Sequence, residues 1–407
     1  PAVLVLLSPH PTDRLFMPAS KAGIIRRLQT PISAPSSPIM SGEPLTEPLS
    51  ARPPAASLRP SACPGLLRIV PALDGGICRI KLPGGIISAP QALAVADAAE
   101  RFAGGVIEAT NRGNLQIRGI GADHDGLITA LLNAGLGPKN PASDDVRNLM
   151  LSPAAGIDPK QLFDARPLAA EILLSLENHS RFHELSPKFA ISLDAGEGLA
   201  MLEHPHDLWL SALSVEGETL LGFGLAGCPA NDFPVAAVSL GAGLELVVSV
   251  IELFLERARP EQTRMRHLLE DLPVPGFLGQ LSERLTTTLR TDQAITSWRR
   301  ASAQVNAHIG LYPQKQPGLT CVGGVVPLGR LTPSMLREAA ALAVELGDGM
   351  LAMTPWQSLM LRNVRDDQTP LSLDRLRAAG VLCEADKALS QMIACTGAAA
   401  CGKGLAD

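Results

Sequence analysis

The sequence predicts an α+β protein built on two pseudo-symmetric β-α-β-β half domains packed together, with α/β regions beside them. Three observations carry that expectation. The chain has 407 residues, more than one ordinary domain uses and enough to bury a sizeable core. It repeats itself at a constant offset: Gly85-Ile-Ile-Ser88 aligns with Gly329-Arg-Leu-Thr332, Thr110 with Thr354, and Leu115-Gln-Ile-Arg118 with Leu359-Met-Leu-Arg362, each pair 244 residues apart. Within each copy the local pattern runs strand, loop, helix and then two strands.

Composition narrows the class. Apolar residues make up 46% of the chain, charged residues 18% and aromatics 3%, which excludes wholesale disorder and gives a core of Leu, Val, Ala and Ile. With 35 basic against 40 acidic residues, a global electrostatic grip on nucleic acid or an anionic membrane is excluded, and an anionic ligand needs a local arginine cluster. No apolar run is long enough to span a bilayer, since Val235 to Phe254 is broken by Ser239, Gly241, Glu245 and Glu252. Pro1 to Leu7 lacks the basic region of a secretory signal, and seven cysteines without a dense framework suit a reducing cytoplasm.

Residues 1–60 read as a disordered tail rich in Pro, Ser and Ala, as in Pro31-Ile-Ser-Ala-Pro-Ser-Ser-Pro38, with Met40 a candidate translation start. Residues 61–135 hold the first half domain. There Cys78, Ile80 and Leu82 alternate with Arg79 and Lys81 as in a half-buried strand, and Gly84-Gly85 ends it. Ser88 and Thr332 are placed as helix N-caps with Pro90 and Pro333 in the first turns, and the helices close near Gly104 and Gly347. Two strands follow, Val106 to Thr110 and Asn114 to Ile120, around an Asn111-Arg-Gly-Asn turn; residues 308–372 repeat this scheme, with Gly349 to Arg362 turning at Pro355. Residues 140–305 form an α/β region with helical stretches at Leu168 to Leu176 and Ala237 to Ala258, and residues 375–407 read as the truncated start of a second such region.

Candidate chemistry lies in a few places. Residues two apart on a strand share a face, so Arg112, Asn114, Gln116 and Arg118 form a polar comb that suits a flat ligand fringed with acids. The same alternation also describes the solvated face of an antiparallel sheet. Arg147 and Lys188 add two cationic points. Cys395 and Cys401, five residues apart in a small, Gly-rich segment, supply two of the four ligands that a cubane iron–sulfur cluster needs. Cys63, Cys78, Cys228, Cys321 and Cys383 are assigned to the core. No zinc pattern, Walker loop or dinucleotide fingerprint is present, so electrons, if used, arrive through a partner.

Thr110-Asn-Arg-Gly-Asn-Leu-Gln-Ile-Arg-Gly119, the doubled half domain, Arg147-Asn148, Pro187-Lys188-Phe189 and Cys395-x5-Cys401 resemble, in this order, the nitrite and sulfite reductase family of siroheme and 4Fe-4S proteins, with its ferredoxin-like half domains and siroheme-reductase-like α/β domains. Within it, Ala62-Cys-Pro-Gly-Leu66, Leu151-Ser-Pro-Ala-Ala-Gly-Ile-Asp158 and Ala394-Cys-Thr-Gly397 are most similar to the precorrin-3B synthase branch. That resemblance implies a monooxygenase of aerobic cobalamin synthesis that uses O2 to hydroxylate precorrin-3A and close a lactone. It implies catalytic Arg112, Arg147 and Lys188, substrate contacts from Asn114, Gln116, Arg118 and Asn148, and cluster ligands Cys395 and Cys401. A siroheme or the tetrapyrrole substrate would fill the site, a mononuclear iron would assist the cluster, and an NADH-linked reductase would donate electrons. Sulfite reductases carry a second lysine where this chain has Ala190, which favours the oxygenase over the alternative, a siroheme sulfite or nitrite reductase. The family's second cysteine pair is missing before Asp407, so a truncated, non-catalytic tetrapyrrole binder is the third reading.

Overall fold

The computed structural model describes residues 63–392, 394 and 396–402; the tail expected over 1–60 and Cys395 lie outside the described residues. Two five-stranded sheets carry the repeat. In the first, Val70–Ala72, Gly75–Ile80, Leu115–Ile120, Val106–Ala109 and Arg330–Leu331 lie in that order. In the second the order is Gly310–Pro313, Leu319–Val325, Ser358–Arg365, Met350–Met353 and Ile86–Ser88.

Each half therefore lends a short strand to the other. Arg330 pairs with Glu108 in the first sheet, and Ser88 pairs with Met350 in the second. The exchange follows directly from the 3-10 turns Pro83–Gly85 and Pro327–Gly329, each of which has a residue with positive φ at its centre, Gly84 at 59° and Leu328 at 54°. Gly85 is needed at its place, because its φ is 74° and a Cβ there would be driven into the Met353 carbonyl oxygen.

The two long helices, Ala89–Phe102 and Pro333–Leu346, start as the sequence predicts. Ser88 accepts from Gln91 N in a capping box, and Thr332 Oγ1 accepts from Met335 N at 3.2 Å. They present alanine-rich faces to each other and to both sheets, and a single core spans the halves, from Ile80, Ile107 and Leu115 to Leu336, Leu351 and Leu361. Alanine at Ala92, Ala96, Ala339 and Ala343 permits close approach of the two helices.

The intervening region has its own core around Phe182, Leu210, Phe223, Val250 and Phe254. Its mixed sheet runs Ala236–Ser239, Glu218–Leu225, Leu208–Val215, Ile191–Asp194 and Leu149–Leu151, the last two pairings parallel and the others antiparallel. Helices Arg166–Asn178 and Gly243–Arg257 cover it. The helix expected from Ala237 to Ala258 is shorter at its start: Ala236–Ser239 is a strand paired with Phe223–Leu220, because the short apolar run can bury itself against that edge before the 3-10 turn Leu240–Ala242 leads into the helix. No helix among the described residues is long and apolar enough to cross a membrane.

Cys78, Cys228, Cys321 and Cys383 are buried as expected, and burial raises the Cys321 thiol to about 12 and the Cys383 thiol to about 11. Cys63 differs in being half-buried, with its carbonyl accepting from Arg68.

Candidate functional site

The Asn111–Asn114 turn is built by Thr110 and Gly113. Thr110 Oγ1 accepts from Asn114 N at 3.1 Å and Arg112 N at 3.4 Å, while Gly113 takes a φ of 68°, and a Cβ on it would lie 2.9 Å from the Met353 carbonyl oxygen. This leaves Arg112 at the tip, its guanidinium making no hydrogen bond or ion pair among the described residues. Burial, then the neighbouring Arg264 and Arg79, lower its pKa from the usual value.

The rest of the comb is engaged within the sheet. Asn114 Oδ1 accepts from Leu82 N at 2.8 Å. Gln116 accepts from Arg79 at 2.7 and 2.9 Å and donates to Glu108 Oε2 at 3.0 Å. Arg118 forms a two-pronged ion pair with Asp74 at 2.9 and 3.0 Å and donates to the Ala400 carbonyl at 3.1 Å. Alternation places these side chains together, but Arg79 and Glu108 occupy the hydrogen-bonding groups of Gln116, and Asp74 and Ala400 those of Arg118.

Arg147 stands on the loop entering Leu149–Leu151. Its Nε and Nη2 are buried without a hydrogen-bond partner, and its nearest acid, Asp144, lies 3.9 Å away with its own Oδ1 unpartnered. A buried guanidinium with idle donors is costly unless an anion reaches it. Beneath the loop, Lys81 Nζ donates to the carbonyls of Asp144 and Asp145, each at 2.7 Å. Asn148 Nδ2 donates to the carbonyls of Asp145 and Pro187 at 2.9 Å and Phe189 at 3.1 Å, which ties the Arg147 loop to the loop of Lys188. Lys188 itself is exposed.

Asp207 braces the other wall. It accepts from Ala190 N at 2.9 Å, Met265 N at 2.9 Å and Arg264 Nε at 2.9 Å, and it is almost wholly buried. His206 beside it is buried with Nδ1 unpartnered, and burial, Arg112 and His204 push its pKa down to about 3, so it is a neutral imidazole at ordinary pH.

Arg112, Asn114, Arg147, Asn148, Ala190 and His206 line one narrow cleft whose free volume is only about 10 Å³. A wider groove of about 260 Å³, open to solvent, shares Arg112 and His206 and adds Arg264 and Arg266. A third hollow joins Arg147 to Lys81 and Lys139. The structure thus gathers Arg112, Asn114, Arg147 and Asn148 and holds Gln116 and Arg118 in the sheet that carries them. Reading the sequence missed Lys81, His206, Asp207 and Arg264. Lys81 reads, like Arg79, as the outer side of a half-buried strand, and the other three lie in loops, so none of the four carries a signal of its own.

The donors fit an organic polycarboxylate, since Arg112 and Arg147 offer unoccupied guanidinium groups on one cleft. Cys401 is half-buried on a loop docked by Thr396 Oγ1 on Glu108 at 3.2 Å and by Arg118 on Ala400, Cys395 lies outside the described residues, and no group of three or more His, Cys, Asp or Glu among the described residues could hold a metal.

Residues 142–289 match the nitrite and sulphite reductase 4Fe-4S domain, and residues 71–134 and 312–379 match the nitrite/sulfite reductase ferredoxin-like half domain. The chloroplastic ferredoxin–nitrite reductase of Zea mays is 30% identical over 81% of this chain and 61% of its own. The ferredoxin–nitrite reductase of Synechococcus elongatus is 29% identical over 73% of this chain and 60% of its own. A precorrin-3B synthase of Sinorhizobium is 30% identical over 48% of this chain and 42% of its own, so the branch expected to be most similar matches over a shorter stretch than the nitrite reductases do. The solved Mycobacterium tuberculosis NirA protein shares the fold at a TM-score of 0.65 and 20% identity, over 80% of this chain and 60% of that one. The chain spans less than two thirds of the length of these nitrite reductases. With the two family domains matched in alternation along more than half of its residues, the chain belongs to the nitrite and sulfite reductase family of oxidoreductases.

Proposed function

We propose that the Arg112–Arg147 cleft clasps the carboxylate rim of a tetrapyrrole, and that the protein acts as a siroheme-type reductase of a small oxyanion, nitrite or sulfite. The observation that carries this reading is Arg147, buried with Nε and Nη2 unpartnered on a cleft that it shares with Arg112. When bound, an iron tetrapyrrole supplies the redox centre for the oxyanion. The chain's own residues do the rest. Arg112 and Arg147 orient the rim, exposed Lys188 adds positive charge on the loop that Asn148 holds, and neutral His206 offers a hydrogen bond without adding a charge. Cys395 and Cys401 are the proposed thiolate ligands of a 4Fe-4S cluster. The names of the ferredoxin–nitrite reductases support a ferredoxin-type electron donor.

A second reading rests on Ala190. Its side chain is buried and its amide is fixed by Asp207, so the cleft offers a methyl group where a sulfite reductase would place its second lysine. That less cationic pocket suits a precorrin-3B synthase-like step, in which O2 hydroxylates precorrin-3A and a lactone closes, with an external reductase as donor. Reconstitution with siroheme followed by nitrite and sulfite turnover with reduced methyl viologen tests the first reading, and mass analysis of precorrin-3A incubated with O2 and reductant tests the second. Turnover of nitrite or sulfite supports the reductase; oxygen gain on precorrin-3A without oxyanion turnover overturns it. Failure of both siroheme and precorrin-3A to bind overturns the cleft assignment itself.

A further inference from the structure

Arg362 lies 244 residues after Arg118 and takes the matching place in the second sheet, but it has no matching acid. Arg118 is neutralised by Asp74, whereas Arg362, only 6% exposed, makes no ion pair or hydrogen bond among the described residues, and its Nε is buried without a partner. Asp348 and Cys321 pull its pKa upward, and burial outweighs both. A guanidinium keeps its charge under such conditions, so a buried, unpaired Arg362 requires an anion or pays for its absence in stability.

Arg362 borders a pocket of about 150 Å³ whose walls are almost entirely apolar, among them Ile86, Leu151, Pro153, Ala155, Ala169 and Leu173. Arg166 also borders it, but Asp164 already pairs with that residue at 2.6 Å, which leaves one net positive charge from Arg362. One wall is the segment Leu151–Ile157, 244 residues before Cys395–Cys401, with Leu and Ile at the positions of those two cysteines. At this offset the earlier segment carries hydrocarbon side chains where the later one carries thiols.

We propose that this pocket is a separate binding site for a compact monocarboxylate with an apolar body, such as an aromatic or branched-chain acid. The carboxylate pairs with Arg362 and the hydrocarbon fills the space between Ile86, Leu151 and the helix face at Ala169 and Leu173. A planar carboxylate matches the fork of the guanidinium, and one ligand charge balances one cation. The site lies apart from the Arg112–Arg147 cleft, shares no lining residue with it, and stands whether or not that cleft holds a tetrapyrrole.

Calorimetric and NMR titration of the full chain with benzoate tests the assignment. Saturable binding in the range of about 1 mM or tighter is expected for a ligand of this size. Arg362→Gln should weaken it by about tenfold or more, and Ala170→Phe, at an exposed position on the pocket's rim, should block it while leaving Arg362 intact. Circular dichroism checks that both variants fold. Absence of saturable benzoate binding to the native chain, or equal affinity in the native chain and Ala170→Phe, overturns the proposal; equal binding of benzoate and chloride would likewise reduce the site to a simple charge and overturn it.

Discussion

Lys81 Nζ sits 2.7 Å from the carbonyl oxygen of Asp144, so the first half domain ends one of its strands against the loop that carries Arg147. Burial lowers this ammonium from 10.5 to about 7, with Asp144 and Asp145 opposing the shift and Arg147 and Arg79 adding to it. The unfolded chain keeps the proton up to 10.5, whereas the folded chain releases it near 7. The unfolded state thus binds more protons between those two values, and the contribution of Lys81 to stability rises with pH across that window. Below it both states are protonated and the slope vanishes. Denaturation of the native chain and of Lys81→Met across this range should show the native chain gaining on the variant as pH rises; parallel curves would refute the assignment.

Removing Arg147 should separate binding from stability. Arg147→Met deletes a buried charge whose Nε and Nη2 have no hydrogen-bond partner and whose nearest acid, Asp144, lies 3.9 Å away, so the ligand-free thermal midpoint should hold or rise. Tetrapyrrole affinity, followed by absorbance titration, should fall by about ten- to a hundredfold as one charge-assisted contact is lost. A lowered midpoint with unchanged affinity would assign Arg147 to the fold.

Gly85 links the halves at a point that admits no side chain. Gly85→Ala sets a Cβ against the Met353 carbonyl at a φ of 74° and should cost about 2–4 kcal/mol by thermal denaturation. Gly104→Ala, with nothing within 4 Å of the new carbon, should stay within about 0.5 kcal/mol of the native chain.

Asp207 is the acid whose loss should damage the cleft wall most. Asp207→Asn withdraws the charge from Arg264 and leaves the amides of Ala190 and Met265 competing for one oxygen, at a cost of about 3 kcal/mol. Urea denaturation measures it, and a change below about 0.5 kcal/mol would show that the ion pair is dispensable.

The architecture was legible because both copies keep hydrophobic period, caps and helix length at one offset. Identity alone would have found less of it. Gly113 and Gln357 share a positive φ, as do Gly119 and Asn363, so the backbone repeats where the residue does not. The lent strands were not legible, since two or three residues show no alternation. Lys81 was read as the outer side of a half-buried strand, but the Asp144–Asp145 loop roofs that side, and such cover is not written in the strand itself. Arg112 and Arg147 were found through motifs. His206, Asp207 and Arg264 were not, because the ends of Ile191–Asp194 and Leu208–Val215 bring distant loops together only once the sheet has formed.

The strands lent between the halves also bear on synthesis. All but one strand of the first sheet have been translated by Ile120, but the last, Arg330–Leu331, waits until the whole intervening region has left the ribosome. Until then the edge at Val106–Ala109 remains open, and an open edge invites pairing with neighbouring nascent chains. Severing the gene between the halves would leave two products, each with an unsealed border.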